Sequence, residues 1–185
     1  VGLGNTQLKM RDYAAAEAAF TRALEIDPDS ITALWNRGMS RKKLGKVDAA
    51  TSDLTKLIGR GVEAASVHTE LASLRLTARD FEGAMAEIGR ALDSDPNCAW
   101  AFLVRGNLRL DTKDLPRALA DYNRCLKLDP TVAGAYAGRG YVHCRGGDYR
   151  AAIPELDSAV RIDPTIISAF GNRAYCHLFL WHIPE

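Results

Sequence analysis

The chain has 185 residues, 47% of them hydrophobic and 25% charged, with 24 Lys and Arg against 23 Asp and Glu. That is enough apolar chain to bury a real core. A net charge of +1 argues against a general electrostatic nucleic-acid binder, which carries a strong basic excess. The charge is uneven, with a net +4 over residues 31–64 and −3 over 65–98. No run of 18 apolar residues exists, so no membrane insertion is expected. Cys98, Cys125, Cys144 and Cys176 form no CxxC pair. Scattered cysteines of this kind fit reduced thiols and a cytoplasmic setting. The opening at Val1 and the ending at Glu185 read as a piece cut from something longer.

The elements follow from a repeat. Asp-Pro occurs at 27–28, 95–96, 129–130 and 163–164, so the prolines stand 68, 34 and 34 residues apart. A period of 34 asks for one more turn near 61–62, where Gly61-Val62 stands. The chain then divides into repeats 1–30, 31–64, 65–98, 99–132, 133–166 and a half repeat 167–185, read as one domain. One column is always small (Gly4, Gly38, Ala72, Gly106, Gly140, Ala174). Sixteen residues after its first five members comes a large one (Phe20, Leu54, Ile88, Tyr122, Leu156). Glycine inside a helix costs about 1 kcal/mol against Ala, so its recurrence implies a close approach of a second helix. Each repeat breaks in the middle, at Arg11-Asp12, Gly45-Lys46, Arg79-Asp80, Lys113-Asp114 and Gly147-Asp148. Asp there is a natural N-cap. In chain order the pattern predicts helices over 1–11, 14–27, 31–44, 47–58, 65–78, 81–94, 99–112, 115–128, 133–145, 149–162 and 167–181. Pro154 falls inside the tenth and predicts a kink or a late start.

The order small residue, aromatic, Ala, large apolar, Ala, Asp-Pro on a period of 34 resembles the tetratricopeptide repeat. Residues 118–130, Ala-Leu-Ala-Asp-Tyr-Asn-Arg-Cys-Leu-Lys-Leu-Asp-Pro, carry the second half of that motif. The resemblance covers the whole chain and implies an all-α fold, a right-handed α-solenoid of antiparallel helix pairs. Its function would be that of a scaffold binding a peptide or helix of another protein in a concave groove. The second repeat departs by lacking its Pro, and Arg replaces the usual Leu before the small residue in four of six repeats.

No catalytic constellation is present. Gly2-Leu3-Gly4 and Gly138-Arg139-Gly140 lack the third glycine of a dinucleotide fingerprint and lie on expected helices. There is no HExxH, GxSxG or P-loop, so no enzyme and no cofactor are expected. His143-Cys144 and Cys176-His177 resemble metal ligands, but a zinc site needs four converging groups. They read instead as buried His and small apolar Cys. Arg37, Arg105 and Arg139 are each followed sixteen residues later by Asp53, Asp121 and Glu155, while Leu3 is followed by Ala19. This covariation within one chain points to ion pairs between the two helices of a repeat. Only Leu71 with Glu87 breaks it. The run Arg41-Lys42-Lys43 with Lys46 reads as a solvated helix end.

The first helix of each pair should line the concave face. Its outward stripe carries Trp35, Met39, Lys42, Trp100, Leu103, Asn107, Tyr141 and Tyr175, which are the candidate partner-binding residues. Family members that clamp chaperone tails use Lys and Asn on consecutive first helices. Here the Lys places hold Val1, Trp35, Thr69, Leu103 and Ala137, and only Asn5 and Asn107 survive, which argues against a chaperone-tail adaptor. The alternative reading is a regulatory or substrate-recruiting segment of a larger enzyme, such as a glycosyltransferase or kinase. RNA-binding helical repeats are disfavoured by the charge balance.

Overall fold

Each repeat turns in the middle by one device. Residues 11, 45, 79, 113 and 147 all adopt left-handed backbone, with φ of 58°, 73°, 63°, 64° and 79°. At each, two N–H groups fold back onto carbonyls of the helix that is ending, as Asp80 N does to Arg75 O and Arg79 N to Leu76 O. The residue after the left-handed one then starts the next helix. Asp12, Asp80, Asp114 and Asp148 each accept an N–H three residues on, so one Asp closes one helix and caps the following one. Lys46 stands at that place in the second repeat and makes no side-chain cap.

The structure is a computed structural model and describes residues 1–181. Its helices are α1 (Gly2–Lys9), α2 (Tyr13–Ile26), α3 (Ile31–Lys43), α4 (Val47–Ile58), α5 (Ala65–Thr77), α6 (Phe81–Ser94), α7 (Ala99–Asp111), α8 (Leu115–Leu128), α9 (Ala133–Arg145), α10 (Tyr149–Ile162) and α11 (Ile167–Trp181). The fold is all-α among the described residues. The expected elements are all present, with ends within two residues of the sequence reading. The end of the half repeat, 182–185, lies outside the described residues.

Two compact units divide at Ser94 and Asp95. In the first, α1 to α6 pair and stack around Ala16, Phe20, Leu34, Leu54, Leu57, Leu71 and Leu74. In the second, α7 to α11 do the same around Ala118, Tyr122, Cys125 and Ala135, then around Ala152, Leu156, Ala159 and Ala169. The small column is where paired helices touch. A methyl on Gly4 would lie 2.6 Å from the Phe20 ring, and one on Gly140 would lie 2.7 Å from Leu156.

Between repeats, Asp27, Asp95, Asp129 and Asp163 reach across the following proline to accept the N–H two residues on. Thr131 gives Asp129 both its hydroxyl and its N–H, and these hold that carboxyl below the usual range. The second repeat substitutes Gly61, at φ 79°, for this turn. Pro154 does not delay α10, which starts at Tyr149 on its Asp148 cap and runs through. The carbonyl that Pro154 leaves without a donor is that of Arg150, an exposed residue, so water can take the place of the lost bond.

The turn column makes a stability prediction. Lys113 holds a left-handed conformation that disfavours a side chain bearing Cβ. Lys113→Gly should raise stability by about 0.5–1 kcal/mol, and Gly147→Ala should lower it by about 1 kcal/mol. Urea unfolding curves would show opposite shifts for the two changes, and equal shifts would refute the assignment.

Candidate partner-binding face

The charged column belongs to the architecture. Arg37 donates to Asp53 through Nη2 at 2.7 Å and Nε at 2.9 Å, and Arg41 adds Nη1 at 2.8 Å. Arg105 and Arg109 hold Asp121 in the same way, at 2.8 and 2.7 Å. Arg139 pairs with Glu155. Asp53 and Asp121 are buried, and each is held by two guanidinium groups that tie the first helix of the repeat to the second. The third repeat solves the problem differently. Glu87, buried opposite Leu71, takes His68 Nδ1 at 2.8 Å and Arg90 Nη1 at 2.8 Å. Repeat six has no second helix among the described residues, and Arg173 reaches back to Asp157 at 2.8 Å.

The basic run is largely neutralised. Arg41 and Lys46 both bind Glu17, and Lys42 binds Glu70 and Ser73. The Lys46 hydrogen bond, against the opposing effect of burial and with help from Arg41, holds the Glu17 carboxyl below its usual range.

The candidate residues fall into three groups. Trp100 is 55% exposed and Tyr175 48%. Trp100 stands in a column whose other members are Thr32, Ser66, Gly134 and Ser168, so its size serves no repeated packing need. Trp35, Met39 and Tyr141 are half-buried, and Trp35 packs against the core of the first unit. Lys42, Asn107 and Leu103 are engaged in the fold. Lys42 makes the pair just described, and Asn107 accepts the Tyr122 hydroxyl at 2.9 Å. Leu103 corrects the sequence reading. It is only 8% exposed, because Gly134 leaves room for it, with both Leu103 methyls 3.5 Å from where a Cβ would stand.

Tyr141 sits between two hollows within the second unit. One, of about 450 Å³, is walled by Tyr141, Arg145 and Cys144 on one side and Asn172, Tyr175 and Tyr149 on the other. The second, of about 530 Å³, continues past Tyr141 and Arg145 to Leu110, Asp111, Lys113 and Leu115. Tyr175 is braced by Tyr149 and Phe179, with ring centroids at 6.1 and 4.5 Å. Partial burial and then the neighbouring Tyr175 raise the Tyr149 phenol above its ordinary value. Arg145 and Tyr149 were missed by the sequence reading. Arg145 ends α9, and Tyr149 opens α10 in the repeat's own aromatic or apolar column (Tyr13, Val47, Phe81, Leu115), so it read as a packing residue.

Two further expectations change. Cys144 and Cys176 are not separate thiols but are joined as a disulfide between α9 and α11, with Cα atoms 6.5 Å apart. His143 is half-buried and His177 exposed, so neither is a core residue. No group of three or more potential metal ligands converges among the described residues. No described helix is long and apolar enough to cross a membrane. Cys125 is fully buried, and burial first, then Asp129, pushes its thiol up to about 12.

Helix pairs stacked at a period of 34 with small-to-large contacts define a helical-repeat protein. The family model for the tetratricopeptide repeat matches residues 1–30, and a second model of the same repeat matches 36–99, 69–133 and 103–165. The chain belongs to the tetratricopeptide repeat family. The Hsp70-Hsp90 organizing protein 1 of Glycine max is 30% identical over 105 residues, which is 51% of this chain and 18% of that protein. The Hsp70-Hsp90 organizing protein of Triticum aestivum matches to the same extent. The chain thus spans under a fifth of the length of these curated relatives. Among solved structures, a thermophilic repeat protein of Thermus thermophilus superposes with a TM-score of 0.80 at 21% identity, covering 95% of this chain and 96% of that one. YrrB, a repeat protein with an unusual peptide-binding site, gives 0.60 at 21% identity, covering 92% and 88%.

Proposed function

We propose that this chain is a non-catalytic scaffold that binds a peptide or helical segment of another protein. The observation that supports this reading is the pair of hollows sharing Tyr141 and Arg145, lined by tyrosine faces and carrying a guanidinium with no carboxylate partner among the described residues. Aromatic faces with the cations Arg145 and Lys113 beside them fit a segment that brings an apolar or aromatic anchor next to an acidic group. Trp100 is a second anchor, exposed where neighbouring repeats carry small residues. A nucleic-acid reading is disfavoured, since three of the four cations in the basic run are already in ion pairs. The relatives' names point to chaperones as partners. A chaperone-tail clamp is disfavoured here, because Trp35 and Leu103 occupy clamp lysine places and Asn107 is committed to Tyr122.

Selection of peptides from a displayed library against the whole chain tests this. Tyr141→Ala and Arg145→Ala should each weaken a selected peptide by about tenfold while shifting unfolding by under about 1 kcal/mol. Peptides indifferent to both changes and to Trp100→Ala would overturn the reading.

A further inference from the structure

Cys144 and Cys176 are joined across two helices. They stand 32 residues apart, on the first helices of repeats five and six, with Cα atoms 6.5 Å apart, inside the range a bridge spans. Their surroundings differ. Cys144 lines the hollow beside Tyr141, whereas Cys176 is fully buried behind it among Ala152, Leu156 and Ala169. The other two cysteines are differently placed, Cys125 in the core of repeat four and Cys98 at the start of α7.

We infer that Cys144 and Cys176 form a reversible thiol–disulfide site, served by a low-molecular-weight disulfide such as oxidised glutathione, that staples α11 to α9. The hollow gives a small disulfide access to Cys144. The Cys144 thiolate attacks one sulfur of the reagent and expels one glutathione thiolate, leaving a mixed disulfide. The Cys176 thiolate then attacks the Cys144 sulfur and expels the second. Two protein thiols lose two electrons and two protons, and one glutathione disulfide becomes two glutathione thiols. Reduced glutathione in excess runs the sequence backwards.

The bridge acts on α11, the last helix among the described residues. α11 packs on α10 through Tyr175, Phe179 and Tyr149 and carries Asn172 and Tyr175 as one wall of the hollow. Cys144 belongs to the opposite wall. Oxidation therefore fixes the separation of the two walls, and reduction leaves α11 held to α9 by packing alone, so it opens more readily. The consequence for partner binding rests on the reading of this face given above, but the staple itself does not.

The test compares the same chain under reduced and oxidised glutathione, without any ligand. Oxidation should lower the free thiol count from four to two, and peptide mapping should find Cys144 joined to Cys176. Amide exchange over residues 167–181 should slow on the order of 100-fold, while exchange in α1 to α6 should stay unchanged. Cys144→Ala should abolish the redox difference in α11 while leaving its exchange close to that of the reduced wild type. Four free thiols at equilibrium with oxidised glutathione would overturn the inference. So would a bridge to Cys98 or Cys125, or a bridge that leaves α11 exchange unaltered. Loss of peptide binding in Tyr141→Ala with the redox effect intact, or the reverse, separates this site from the binding reading.

Discussion

Replacing Arg105 and Arg109 together by Leu should destabilise the protein by about 3–5 kcal/mol, because it leaves the Asp121 carboxylate buried with no cation beside it. Asp121 is 2% exposed, whereas its two arginines keep about a quarter of their side-chain surface in water. Arg105→Leu alone should cost less, about 1–2 kcal/mol, since Arg109 still donates to the other carboxylate oxygen at 2.7 Å. Adding Asp121→Ala to the double change removes the stranded charge and should recover much of the loss. Repeat one already lives without these charges, with Leu3 and Ala19 at the corresponding places. Unfolding curves for the set form a closed cycle. A coupling energy near zero would mean the arginines face a ligand rather than Asp121.

Tyr122→Ala should cost about 3–5 kcal/mol, as for other large aromatic truncations in a close-packed core. The ring is fully buried and fills notches on two helices. A methyl on Gly106 of the same repeat would lie 2.6 Å from it, and one on Gly138 of the next repeat would press closer still. Its hydroxyl donates to Asn107, and burial, followed by Asp111 and Asp121, raises the phenol well above its usual value. Gly138→Ala should therefore destabilise by about 1–3 kcal/mol through overpacking, although Ala is the better helix former. Tyr122→Phe in the Gly138→Ala background should restore little, because the ring atoms remain. Tyr122→Leu, the residue type of repeats two and five, should restore more. Denaturant midpoints for these variants would decide it, and a stabilising Gly138→Ala would contradict the packing.

The helix pattern was legible because every repeat restates it. Gly45, Arg79, Lys113 and Gly147 share a column that chemistry alone would not group, yet the period placed the turn at all of them. The charged pairs were legible for the same reason, and the third repeat was not. Glu87 takes its partner from His68, three residues before the usual place, and only the packed helices show that both positions reach the same carboxylate. Leu103 was misread because its burial depends on Gly134, a residue on another repeat. Cys144 and Cys176 lie off the 34-residue register by two, so no column joined them. Arg145 gains its place beside Tyr141 from the way α9 ends.

The notch on Gly138 also bears on how such a chain can be rearranged. Corresponding places in the repeats that follow another repeat hold Asn36, Glu70, Val104 and Asn172, while Gly2 of the first repeat has no preceding large residue in the chain. Phe20, the other ring in the large column, has Asn36 at that place in the following repeat, and only Tyr122 has a glycine there. Repeats four and five are therefore a lock and key rather than interchangeable bricks. Duplication or shuffling that separated them would set Tyr122 against a side chain it was not shaped for. Ancestral or engineered arrays of this lineage should carry the two repeats as one heritable pair.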